Sequence, residues 1–275
     1  MLRCVREAGF PVVATDVSRE TLDAVATGDA GVATVDSPAA VAQLSRIVCL
    51  VVQNDAQAKA VLLGRDGLLA HAGPEHLVVI HSTLSLGGLR RLAEAAEKAK
   101  VALLDAGVSG RQGQGSVGDL CVMVGGPRAA FEQALPVLET YGGLVLHLGD
   151  VGAGMRAKLA RNTICYLSYL AMFEGLALAE TAGIERGSMD QILEHTGLRS
   201  VAMNAYLDLR TTTVAYDPDT DPEGAEFAKF NALIGRKDLE SAHAFANELG
   251  IELPGVSAGI EAMDAMFGAY RESER

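Results

Sequence analysis

Through its first 150 residues the chain alternates short apolar runs with helical stretches. The runs are residues 11–15 (PVVAT), 46–53 (RIVCLVVQ), 77–81, 101–104, 120–124 and 144–148. Helical stretches separate them at 20–26, 38–44, 55–63, 86–99 and 129–140. Residues 1–9 (MLRCVREAG) read as the last turns of another helix, with Gly9 as its stop. Runs as continuous as 46–53 mark strands covered on both faces. Strands that alternate with helices specify an α/β domain built on a mostly parallel sheet. From residue 151 onward no strand pattern remains. A long helix to about residue 182 is followed by helices near 189–195, 200–207, 225–248 and 256–270. The expected organisation is an α/β domain at 1–150 and an all-α domain at 151–275.

With 275 residues, 49% of them hydrophobic, both domains can have real cores. The net charge of −12 and the lack of a basic stripe argue against nucleic acid as a partner. No apolar run reaches the length of a membrane span, and no signal peptide opens the chain. The four cysteines are scattered without a CxxC pair, so a reduced, cytoplasmic protein is expected. The histidines show no ligand spacing, and no metal is expected.

Residues 149–162 (GDVGAGMRAKLARN) join a short strand to the long helix. Lys158 and Asn162 lie four apart and share one helix face. A lone lysine on a helix is ordinarily a solvated charge. Here the helix that follows is apolar nearly all round, which marks burial. A cation and an amide at its start, beside small residues, suggest a pocket.

Ligands of parallel sheets sit beyond the carboxyl ends of the strands. The polar residues there are Asp16, Gln53, Asn54, Ser82, Thr83 and Ser109. An acid placed like Asp16 commonly holds the ribose hydroxyls of NAD, though a turn or helix cap would also place one there. Two glycine motifs mislead. Residues 113–118 satisfy G-x-G-x-x-G, but a strand-like run follows instead of a helix N-terminus. Residues 152–157 satisfy G-x-G-x-x-A between strand and helix, but no strand follows to complete the unit.

Together these stretches resemble the β-hydroxyacid dehydrogenase family, which includes 3-hydroxyisobutyrate dehydrogenases and tartronate semialdehyde reductases. The resemblance covers nearly the whole chain. Residues 105–110 (DAGVSG) are similar to the family's D-A-P-V-S-G-G, with Gly107 for proline and Arg111 for the last glycine. Residues 152–162 resemble G-x-G-x-x-x-K-x-x-N-N, with Thr163 for the second asparagine. Phe230 and Lys237-Asp238-Leu239 resemble F…K-D-L, and Ser82-Thr83 resembles the cofactor-contacting S-T. Val52-Gln53 stands where the family commonly has Leu-Pro.

The resemblance implies a Rossmann-like domain holding NAD or NADP, a helical C-terminal domain for substrate and dimerisation, and an active site in the cleft. It implies Lys158 as catalytic acid/base. It implies Ser109, Gly110 and Asn162 as contacts to a small carboxylate substrate. Asp16, Val52, Gln53, Thr83 and Lys237 are the implied cofactor contacts, and the Asp16 carboxylate favours NAD. Lys158 argues against imine reductases, which share the architecture but usually lack the lysine. The expected reaction interconverts a 3-hydroxy acid and its semialdehyde or keto acid, in a homo-oligomer. The alternative is a non-catalytic relative that binds or dimerises. Relative to the family, the first strand and its glycine turn are missing, about 15 residues by the size of such a unit. The true start is therefore expected to lie upstream.

Overall fold

The computed structural model describes residues 1–28, 31–110, 118–210 and 214–269. One compact unit ends at Lys158 and a second begins at Leu159.

In the first unit, helix α1 (Leu2–Glu7) leads to strand β1 (Val12–Ala14), helix α2 (Arg19–Gly28) and strand β2 (Val32–Thr34). Helix α3 (Pro38–Leu44), strand β3 (Ile47–Leu50), helix α4 (Asp55–Leu63) and strand β4 (Leu77–Ile80) follow. Helix α5 (Leu86–Lys98), strands β5 (Ala102–Ser109) and β6 (Leu120–Gly125), helix α6 (Arg128–Leu138) and strand β7 (Gly142–His147) complete the α/β region, and helix α7 (Ala153–Thr181) leaves it. The helices begin where side chains can cap them. Ser37, Asn54 and Ser85 accept from the backbone N–H groups of Ala40, Gln57 and Gly88.

The main sheet has the order β3-β4-β5-β6-β7. Every neighbouring pair is parallel except β5–β6. Strands β1 and β2 pair in parallel as a separate two-stranded sheet. In β4, Val78 and Ile80 face one apolar cluster while Leu77 and Val79 face another, so the sheet is covered on both sides.

Three details depart from the pattern read in the sequence. Strand β2 leaves no apolar run in the sequence, because only Val32 of its three residues is buried. Strand β3 stops at Leu50 rather than Gln53, because the backbone N–H of Val52 turns aside to donate to Ser82 Oγ at 2.6 Å. Strand β5 runs on to Ser109 rather than stopping at Leu104, since residues 105–109 pair antiparallel with β6.

In the second unit, α7 continues alongside α8 (Arg186–His195), α9 (Val201–Leu209), α10 (Pro222–Leu249) and α11 (Pro254–Phe267). Asp221 caps α10 by accepting from Gly224 N, with Pro222 at the first helical position. Tyr169, Leu176, Tyr206, Leu239, Met263 and Phe267 belong to one buried cluster. Helix α7 is less enclosed than its apolar sequence suggests: Ile164 and Leu178 are 71% and 73% exposed. Among the described residues no helix is long and apolar enough to cross a membrane.

Candidate active site

The site is built where α7 begins. A helix leaves its first N–H groups without intrahelical partners. Gly152 precedes α7 with a φ of +95°, a conformation that suits glycine, and has no side chain to cap the helix. The cap comes from strand β5 instead. Asp105, completely buried, accepts from Gly152 N through Oδ1 and from Met155 N through Oδ2, both at 2.6 Å. Burial pushes the Asp105 carboxyl above its ordinary range, while these N–H bonds pull it back.

Three glycines make the close approach possible. A Cβ on Gly154 would lie 2.2 Å from the carbonyl oxygen of Met123. One on Gly125 would lie 2.6 Å from Asp105 Oδ1. One on Gly107 would meet Lys158 Cβ at 3.0 Å and Cγ at 3.3 Å. The stem of Lys158 therefore lies directly on Gly107, and its Nζ donates to the carbonyl oxygen of Val108 at 2.6 Å. By the two-residue period of a strand, Asp105, Gly107 and Ser109 share one face of β5. The structure thus brings Lys158 to the segment holding Ser109 and Gly110, both half-buried.

The same geometry accounts for the G-x-G-x-x-A motif. The N–H groups of Gly152 and Met155 are already given to a carboxylate, so this helix start does not present them to a phosphate. Of the other motif, Gly113 to Val117 lie outside the described residues, as does Arg111.

The remaining candidates of this unit stand at strand ends. Val52 and Gln53 follow β3; the backbone N–H of Gln53 donates to Gln57 Oε1 at 2.9 Å. Thr83, half-buried, follows the adjacent β4. Asp16 lies beyond β1, in the other sheet; it is exposed, and its Oδ1 accepts from Ser18 N at 2.8 Å in a turn. These groups are chemically compatible with a nicotinamide dinucleotide: a carboxylate can accept from ribose hydroxyls, and hydroxyl and amide groups stand beyond β3 and β4.

In the second unit Asn162 and Asp238 are buried, and Asn162 Nδ2 donates to Asp238 Oδ2 at 2.6 Å. Arg161 donates to Asn162 Oδ1 at 3.1 Å. Lys237 Nζ lies 3.8 Å from Asp238 Oδ1. Burial first, then the charge of Asp238, raises the Tyr166 phenol above its ordinary range. Asn162 and Lys237 therefore meet through Asp238, which the sequence motif alone does not single out. The same holds for Asp105. Each stood inside a quoted motif, but its partner is 47 to 76 residues away.

Residues 1–149 match the family model for the NAD binding domain of 6-phosphogluconate dehydrogenase. Residues 152–274 match the model for the NAD-binding region of NADP-dependent 3-hydroxyisobutyrate dehydrogenase. Fold and matches together define an NAD(P)-dependent oxidoreductase. An uncharacterized oxidoreductase of Mycobacterium tuberculosis is 32% identical over 81% of this chain and 74% of its own length. The 3-hydroxyisobutyrate dehydrogenase of Pseudomonas aeruginosa is 32% identical over 71% of this chain and 64% of its own. A solved structure of Mycobacterium tuberculosis 3-hydroxyisobutyrate dehydrogenase with L-serine superposes with a TM-score of 0.74 at 25% identity, covering 94% of this chain and 86% of that one. The chain belongs to the β-hydroxyacid dehydrogenase family.

Proposed function

We propose that the protein interconverts a small 3-hydroxy acid and its semialdehyde or keto acid, with Lys158 as the acid/base on the substrate oxygen. The observation that carries this reading is the seat of Lys158: its stem lies on Gly107 and its amine reaches the Val108 carbonyl, one residue before Ser109. Residues 1–150 form the dinucleotide-binding domain, where Asp16, Val52, Gln53 and Thr83 hold the cofactor. Residues 151–275 form the helical domain, which contributes Asn162 and Lys237. The dinucleotide, when bound, supplies or accepts the hydride. Lys158 handles the proton: the neutral amine takes it from the alcohol during oxidation, and the ammonium returns it during reduction. Ser109, Gly110 and Asn162 hold the carboxylate end of the substrate. The L-serine in the related solved structure supports a small hydroxy acid of this type. Asp16 favours NAD, because its carboxylate repels the 2′-phosphate of NADP. Exposed Ile164 and Leu178 on α7 support a homodimer.

The test is turnover of a panel of 3-hydroxy acids with each dinucleotide, on the wild type and on Lys158→Ala. The variant is expected to lose roughly 10²- to 10⁴-fold in kcat while still binding NADH. Full turnover by the variant overturns the reading.

A further inference from the structure

Strand β5 holds α7 at two points on one face. Asp105 takes the N–H groups of Gly152 and Met155, and Gly107 receives the stem of Lys158. Met155 and Lys158 are three residues apart, hence neighbours on the helix surface. Ser109 continues the same face of the strand. Whatever fixes the first turn of α7 on β5 therefore also fixes the distance from the Lys158 amine to the Ser109 segment.

The cap is unusual in its source. An N-cap side chain ordinarily comes from the residue at the helix start and accepts one backbone N–H. Here the residue at the start is a glycine, and a carboxylate about 50 positions earlier accepts two. A carboxylate is suited to this, because both of its oxygens are acceptors. An amide has one acceptor oxygen and would turn its NH2 toward the other donor. Gly125 and Gly154 leave the space in which the grip is made.

We propose that Asp105 is the positioning residue of Lys158: by pinning the first turn of α7 to β5, it sets where the amine stands over the substrate segment. The inference rests on the acid/base role proposed for Lys158.

Asp105→Asn tests it, compared with the wild type and Lys158→Ala in the full chain. The variant keeps the side-chain volume and loses one acceptor. A misplaced reacting group costs about 10- to 100-fold. The expected result is a fall of that size in kcat, a smaller change in KM and an NADH Kd within about twofold of wild type. The pH dependence of kcat is expected to shift on the limb that Lys158→Ala abolishes. A purely structural role would lower the melting temperature and leave that limb in place. Unchanged kcat and pH profile in folded Asp105→Asn overturn the inference. If the amide variant does not fold, Asp105→Glu takes its place: it keeps charge and both acceptors but displaces the first turn, so the same shift in the pH limb is expected, and a wild-type profile overturns the inference. The two failures are separable. Full turnover by Lys158→Ala sinks the acid/base role itself. An inactive Lys158→Ala beside a wild-type-like Asp105 variant sinks the positioning role alone.

Discussion

Asn162 donates its amide to the carboxylate of Asp238 across 76 positions of sequence, and both side chains are sealed from solvent. The bond fixes which way the amide points, because only its nitrogen end can face a carboxylate. Asp238→Ala would leave Asn162 Nδ2 without this acceptor in the interior, a loss of about 1–3 kcal/mol. Urea unfolding should show a lower midpoint with an unchanged slope.

Two glycines of the same helix should respond in opposite directions to alanine. At Gly154 the new methyl would collide with the carbonyl oxygen of Met123, a backbone atom, and lift α7 off the sheet. Gly154→Ala is expected to destabilise by about 1–3 kcal/mol and to reduce turnover. At Gly175 nothing lies within 4 Å and the position is interior to α7. Gly175→Ala is expected to stabilise by about 0.5–1 kcal/mol. Thermal melts of the two variants, run side by side, check both signs.

His81 makes stability depend on pH. Its Nδ1 lies 2.7 Å from the Ala106 carbonyl oxygen and its Nε2 lies 3.0 Å from the Tyr141 hydroxyl. Desolvation by burial brings its pKa from 6.5 down to about 4. The folded state therefore holds a neutral imidazole that the unfolded chain protonates below pH 6.5. The contribution is full above pH 6.5 and is lost as the pH falls toward 4, to a total of about 3 kcal/mol. In urea titrations at pH 7, 6 and 5, wild type should lose stability relative to His81→Gln as the pH drops; parallel curves would refute the assignment.

Asp16 should decide between dinucleotides. Replacing it by Asn removes the charge and keeps a side-chain oxygen that can accept from Ser18 N. The ratio of kcat/KM for NAD over NADP is expected to fall by about tenfold or more. An unchanged ratio would mean that Asp16 serves only its turn.

The sequence carried the architecture further than it carried the site. Buried parallel strands such as residues 77–80 are continuous apolar runs, and Ser37, Asn54 and Ser85 mark helix starts within four residues of what they cap. Such signals are local and can be read locally. Strand β2 carries no such signal, with two of its three residues exposed. The end of β5 was concealed for another reason: Asp105-Ala106-Gly107 has the composition of a turn, yet it stays extended because β6 pairs with it and α7 needs the bare surface of Gly107. Lys158 could be singled out because its neighbours are apolar. Asp105 and Asp238 could not, because the work of each lies in a partner brought close only by the fold.

Strands β1 and β2 share no hydrogen-bond ladder with β3, so the segment that presents Asp16 meets the main sheet's apolar cluster through side-chain packing, with Val13 among the contacts. Packing of apolar volume tolerates substitution far better than a ladder tolerates a change of register. Helix α1 is likewise held by packing, with Cys4 buried in the cluster on the other face of the sheet. Exchanging this segment for a homologous one is therefore expected to disturb packing at Cys4 and Val13 while leaving the register of the strand to which Lys158 is clamped.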